Sequence, residues 1–207
     1  MTGDGSHAGW AGSEWQGLER VGSGIARYTT RCKVAYSTTG LYFLFECQDE
    51  KLQCSGLPDF ADLYTEDVIE VFLWPDEQHP LYLEYEISPF GAELPILVSK
   101  QGGTFGAFHG WLPWHYEGAR RCCKATAIRG GAPMPGASVT GWTVEFFIPF
   151  ALFSGVCPTP KAGDRWRANF YRIDYDKLPC SHWAWDTRTD SNFHDYQNFG
   201  SIVFGKA

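Results

Sequence analysis

The chain has 207 residues, a formal net charge of −7, 16% aromatic side chains, 23 Gly and 12 Pro. That length suits one domain that buries roughly 70% of its unfolded surface and needs no covalent staple. The acidic balance argues against nucleic acid or an anionic membrane as partner, and no apolar run approaches the ~20 residues of a bilayer span.

The start, Met1 to His7, is polar and glycine-rich and lacks the basic and apolar regions of a secretory leader. Residues 1–27 show little periodicity beyond Trp10 and Trp15 and are expected to form an edge segment on a domain spanning 28–207. Arg31 to Tyr36 alternates, with Cys32, Val34 and Tyr36 on one face, and Ser37-Thr38-Thr39-Gly40 reads as a hairpin turn. Leu41 to Cys47 is nearly continuous apolar, as in a central strand. After a loop over 49–64, Val68 to Trp74 is the next strand and stops at Pro75.

Leu81 to Ile87 alternates cleanly. Leu81, Leu83, Tyr85 and Ile87 share one face, while Tyr82, Glu84 and Glu86 share the other. A strand over Leu94–Val98 leads into a long loop, 99–121, carrying Phe105, Phe108, His109, Trp111, Trp114, His115 and Tyr116. Strands over 122–128 and 142–148 flank the Gly/Pro stretch 130–136, and 149–153 holds the one helical turn. Strands over 165–173 and 200–204 close the chain, with Trp183, Trp185 and Phe193 on the loops between them. Short strands about every ten residues with no helical period predict an all-β fold. The expected architecture is a single antiparallel β-sandwich, jelly-roll-like. The seven Cys are odd in number and lack metal-site spacing, so buried small hydrophobes and disulfides both remain open.

Four segments resemble the carbohydrate-binding modules of family 9. They are Leu41-Tyr42-Phe43 with Asp49, the block Tyr64-Thr65-Glu66-Asp67-Val68-Ile69-Glu70-Val71-Phe72, Gly141 to Glu145 with Ile148-Pro149, and Phe193-His194-Asp195 through Phe199-Gly200. The resemblance spans roughly residues 28–205 and implies a β-sandwich that binds a mono- or oligosaccharide without catalysis. It implies that Tyr64 and Phe193 clamp the sugar, where the family usually has Trp, and that Glu70 accepts hydroxyl hydrogen bonds. Glu86 stands where family members carry an arginine, exchanging a donor for an acceptor, and Arg172 and Trp185 are expected at the rim. A glycan-degrading context, a glycoside hydrolase partner and an extracellular or periplasmic location follow from the same resemblance.

Rival readings rest on the carboxylates. Glu84 and Glu86 project ~7 Å apart from one strand face, within the window for the acid and base of an inverting glycosidase. Their shared polar face is expected to meet water or ligand, so that both titrate normally. Glu70, in a strand apolar on both faces, is either a ligand contact or one half of a buried ion pair with Arg172 or Arg167. Asp49, Glu50, Asp59 and Asp62 offer oxygen ligands for a structural Ca²⁺, although without EF-hand spacing. Related sandwiches bind haem through Met and His, and Met134 is the internal Met available for that.

Overall fold

A computed structural model describes residues 1–100, 108–111 and 116–205, with only the backbone given for Lys100 and for 108–111. Residues 101–107 and 112–115, including Phe105, Trp114 and His115 of the expected aromatic loop, lie outside the described residues. Among the described residues, twelve strands carry the fold, joined by short 3₁₀ turns. They are β1 (Gln16–Val21), β2 (Thr30–Tyr36), β3 (Gly40–Gln48), β4 (Val68–Trp74), β5 (Leu81–Ile87) and β6 (Glu93–Lys100). Then follow β7 (Phe108–Trp111), β8 (Cys123–Arg129), β9 (Gly141–Pro149), β10 (Arg165–Asp174), β11 (Ser181–Ala184) and β12 (Gly200–Val203).

Every pairing is antiparallel. One layer runs β1-β2-β3-β9-β8. The other runs β7-β6-β5-β4-β10-β11-β1, with β12 beside the first half of β10. The β-sandwich expected from the sequence is the fold observed. Strand β1, inside the segment 1–27, belongs to both layers: Gln16–Leu18 pair with β2 and Glu19–Val21 with β11. That switch of layers joins the two sheets into one folded surface.

The main core lies between the layers. Phe43, Phe45, Phe146 and Phe170 meet there, with Phe43 on Phe146 at 5.0 Å and Phe43 edge-on to Phe170 at 5.5 Å. Such pairs add about 0.5–1.5 kcal/mol each beyond their buried area. Trp142 is fully buried there and donates its indole N–H to Asp49 at 3.1 Å. Gly200 on β12 has a steric reason to be glycine, since a Cβ there would lie 2.5 Å from the Trp185 ring.

A second apolar cluster covers the outer face of the β4–β5–β10 layer. Val68, Phe72, Tyr82, Val98 and Tyr171 point outward and are roofed by Leu63, Phe193, Tyr196 and Phe199 from the loops. The outer face of this sheet is therefore also buried. This sets the character of the site.

All seven Cys are free thiols, and four of them (Cys32, Cys47, Cys54 and Cys122) are buried. Burial pushes those four thiols above their ordinary range, so they behave as small hydrophobes. Met134 is 57% exposed in the loop after β8, not in the apolar pocket that a haem ligand needs. No helix among the described residues is long and apolar enough to cross a membrane.

Candidate functional site

The antiparallel register places Tyr171, Glu70, Glu86 and Leu94 in one rung across β10, β4, β5 and β6. The next rung on the same face is Asn169, Phe72, Glu84 and Ile96. Glu70 and Glu86 are thus directly opposed, with Glu84 one step along the same face. Like charges facing each other across a strand pair oppose the pairing. Here the acids lie inside an apolar cluster that disfavours their charged forms, with Glu70, Glu84 and Glu86 2%, 5% and 0% exposed.

No described Lys or Arg pairs with these acids. Glu70 Oε1, Glu84 Oε2 and both carboxyl oxygens of Glu86 are buried without a hydrogen-bond partner among the described residues. The Glu84 carboxyl and, beyond it, the Tyr64 N–H both lie near enough to Glu86 to bear on its pKa, but neither gives a Glu86 oxygen a hydrogen bond of good geometry. Burial, then the charges of their neighbours, raises the pKa of Glu70 and Glu86, and burial raises that of Glu84.

Around the acids stand ring systems. Tyr82 hydrogen-bonds His194 Nδ1 through its hydroxyl at 2.9 Å, and the same nitrogen lies 4.0 Å from Glu84 Oε2. Phe72 meets Tyr171 edge-on at 5.2 Å and His194 at 5.4 Å. Tyr64, on the 3₁₀ turn Leu63–Thr65 beside β5, is 47% exposed, and its carbonyl is fixed by the Tyr175 hydroxyl at 2.8 Å. Asp62 first, then burial, and then the more distant Glu86 and Glu84 raise the pKa of the Tyr64 hydroxyl.

The structure therefore brings Tyr64, Glu70, Glu86 and Phe193 to one face, as the resemblance implied, but their environments differ from expectation. Phe193 is 9% exposed and lies flat on Tyr171 at 3.9 Å, with the His182 ring edge-on at 5.4 Å. It packs on its neighbours, while Tyr64 offers the open ring. Glu84 and Glu86 are not on a solvated face and do not titrate normally. The alternation of β5 was read correctly, but the loops that cover its outer face do not show in a strand pattern.

Arg172 and Trp185 lie on the other side of the sheet. Arg172 is fully buried between the layers and donates to Asp49 at 3.1 Å, Asp174 at 2.6 Å and the Gln48 carbonyl at 2.6 Å. It stands over the Trp183 and Tyr28 rings and cannot form a rim. Trp185 stacks on Phe170 at 5.0 Å against the main core. Arg167 donates to the Phe199 and Gly200 carbonyls, so neither arginine is the partner of Glu70.

The acids considered for Ca²⁺ also separate. Asp59 pairs with Lys124 at 3.0 Å and Arg121 at 3.4 Å. Among the described residues, the carboxylates that converge within 4.8 Å are Asp49, Asp174 and Asp176. The Arg172 guanidinium already bonds two of them, so that donor set does not fit a resident calcium ion.

Tyr82, Tyr171 and His194 are members of the site that sequence reasoning did not single out. The shared face of Tyr82 with Glu84 and Glu86 was the available signal for the first. His194 adjoins Phe193 in the closing motif, and Tyr171 adjoins Arg172 on β10.

No protein-family model and no curated protein matches the sequence. Solved structures do match its fold. A candidate carbohydrate-binding protein from Bacteroides uniformis superposes with a TM-score of 0.76 at 15% identity, over 94% of this chain and 87% of that one. A family 9 carbohydrate-binding module from Caldicellulosiruptor kristjanssonii in complex with cellotriose gives a TM-score of 0.68 at 17% identity, over 100% and 90% of the two chains. The fold is that of the family 9 modules. A family 9 carbohydrate-binding module from Caldicellulosiruptor kristjanssonii in complex with glucose gives 0.66 at 17% identity, over 100% and 92%. At these identities the likeness carries the family 9 architecture and leaves the ligand chemistry to the residues above.

Proposed function

We propose that the outer face of the β4–β5–β10 layer binds a saccharide without chemical turnover. The observation that carries this reading is the row of unpartnered carboxyl oxygens on Glu70, Glu84 and Glu86 beside the open Tyr64 ring. Buried polar groups left without partners cost about 1–3 kcal/mol each, and a ligand rich in donors repays that cost. Sugars bring hydroxyl donors on a ring whose C–H faces suit an aromatic surface. Tyr64 stacks on one such face, the three glutamates accept hydrogen bonds, and Tyr82 and His194 bound the polar end. Tyr171, opposite Glu70 in register, lies beneath Phe193, which covers it at 3.9 Å. The saccharide complexes of the similarly folded Caldicellulosiruptor modules support this reading. So does the resemblance, which extends it to a glycan-degrading system outside the cytoplasm with a hydrolase partner.

Calorimetric titration of the purified protein with mono- and oligosaccharides tests it, with Tyr64→Ala as the control. Binding weakened about tenfold by Tyr64→Ala is the expected result, since an aromatic contact contributes of order 1 kcal/mol. Absence of binding to every saccharide would remove the reading.

One observation favours a second reading. Paired acids with raised pKa are what a glycosidase uses, and Glu84 and Glu86 are such a pair. An inverting pair, however, needs one ionised base and a water between the two carboxyls. Here burial drives both acids toward the neutral form, so neither supplies the ionised base. Turnover of aryl glycosides that disappears in Glu84→Gln and Glu86→Gln would establish the enzyme instead.

A further inference from the structure

Outside the acid group, the same outer face carries a thiol beside an imidazole. Cys180, just before β11, and His182, within it, project to that face, and Cys180 Sγ lies 3.5 Å from His182 Nε2. Cys180 packs against the outer apolar cluster, while His182 faces Ile173 of that cluster in register and meets Phe193 edge-on at 5.4 Å. Burial outweighs the Asp190 charge and lowers the His182 pKa, so its imidazole is neutral near neutral pH and able to take a proton.

The pair sets Cys180 apart from the other thiols of the chain. Cys32, Cys47, Cys54 and Cys122 are buried, burial pushes the half-buried Cys157 thiol up to about 11, and Cys123 is exposed with no described histidine hydrogen-bonded to it. A resident metal does not account for the pair, since one thiol and one imidazole fall short of a zinc ligand set. Among the described residues the converging ligand group is Asp49, Asp174 and Asp176, elsewhere in the fold. The pair is instead a nucleophile within reach of a base. Its sulfur also borders the ligand face. Tyr175 packs against the same cluster, and after burial Cys180 is the largest influence raising the pKa of its hydroxyl. That hydroxyl donates to the Tyr64 carbonyl at 2.8 Å.

We propose that Cys180 is a peroxide-reactive thiol with His182 as its base, and that its oxidation loosens Tyr64 and so weakens saccharide binding. The sulfur attacks one oxygen of hydrogen peroxide, and an S–O bond forms as the O–O bond breaks. The thiol proton passes through His182 Nε2 to the departing hydroxide. Thiol and peroxide become a sulfenic acid and water, with sulfur oxidised and the peroxide reduced. The new oxygen is a stronger acceptor than sulfur beside the Tyr175 hydroxyl and draws it from the Tyr64 carbonyl. The chemistry at sulfur stands by itself, and its effect on binding rests on the saccharide reading above.

The test exposes the folded protein to hydrogen peroxide, traps sulfenic acid with dimedone and locates the label by peptide mass spectrometry. Cys180 is expected to be labelled first, ahead of Cys123 and Cys157. His182→Gln should slow labelling at Cys180 on the order of tenfold or more, as removal of a positioned base does, with Cys123 in the same sample as the reference. Calorimetry with mono- and oligosaccharides should show peroxide weakening binding on the order of two- to tenfold, as loss of one hydrogen bond does, and no response to peroxide in Cys180→Ser. If His182→Gln fails to fold, the order of labelling in the unaltered protein decides. Labelling of Cys123 ahead of Cys180, or a Cys180 rate indifferent to His182, would overturn the thiol proposal. Cys180 labelled first with saccharide affinity unchanged would overturn its link to Tyr64. A protein that binds no saccharide would end the saccharide reading and that link, and the labelling would still decide the chemistry at Cys180.

Discussion

Tyr64 and Phe193 differ in exposure, 47% against 9%, and their removal has opposite consequences. Tyr64→Ala leaves the packing untouched and removes the open ring. It should weaken saccharide binding by ~1–2 kcal/mol, read by calorimetry, with no change in the thermal midpoint. Phe193→Ala empties the space between Tyr171 and His182. It should destabilise the fold by about 3–5 kcal/mol in denaturant titrations. Arg172 presents a third case. Its guanidinium is the cation for Asp49 and Asp174 in the interior, so Arg172→Met leaves buried acids unpaired and should cost about 3–5 kcal/mol of stability. The resemblance set Arg172 at the rim, because its acceptor Asp49 lies 123 residues earlier, beyond the reach of any local pattern.

At the scale of the element, the β4–β5 pair contains the tension that defines the site. Glu70 faces Glu86 across the pair, and both are buried. Replacing either by Gln keeps the shape and removes the cost of protonating a buried acid, so Glu86→Gln should raise the thermal midpoint of the free protein at neutral pH while lowering ligand affinity. A fall in the midpoint would show that the acid is needed for folding.

Strands β2, β3, β4, β5, β9 and β10 were legible because a period of two or a continuous apolar run marks each one. Strand β1 was not. Only Leu18 and Val21 are buried in it, three residues apart, because the strand changes layer midway and its inward side changes with it. Strand β11 is four residues long, and Trp183 in it reads equally well as a loop aromatic. The backbone of β7, Phe108–Trp111, likewise pairs with β6 within the span expected as one long loop. The site was half legible. Its residues could be assigned to the correct face of β4 and β5, but the burial of that face depends on loop residues such as Leu63, Phe193, Tyr196 and Phe199 that strand periodicity does not report.

For the whole molecule, the buried acids govern the response to pH. Glu70, Glu84 and Glu86 have raised pKa values, and burial pushes Asp67 up to about 8. Each is therefore protonated in the folded state at a pH where the unfolded chain has already released its proton. Their stabilising contribution is complete below about pH 4 and is lost as the pH rises through the folded values. Asp59, Asp186 and Glu145 have lowered pKa values and act in the opposite sense, losing their contribution only in the acid range. The thermal midpoint should accordingly fall by at least a few degrees between about pH 5 and pH 8, and Glu86→Gln should flatten that slope. A midpoint that rises over the same interval would contradict the protonation states assigned here.

The central claim is the location of ligand binding on the outer face of the β4–β5–β10 layer. Nuclear magnetic resonance of the isotope-labelled protein, titrated with mono- and oligosaccharides, tests it most directly. The account predicts amide shift changes concentrated at Tyr64, Glu70, Tyr82, Glu84, Glu86, Tyr171 and His194. Changes confined to the other layer, around β2, β3, β8 and β9, or no changes with any saccharide, would contradict it.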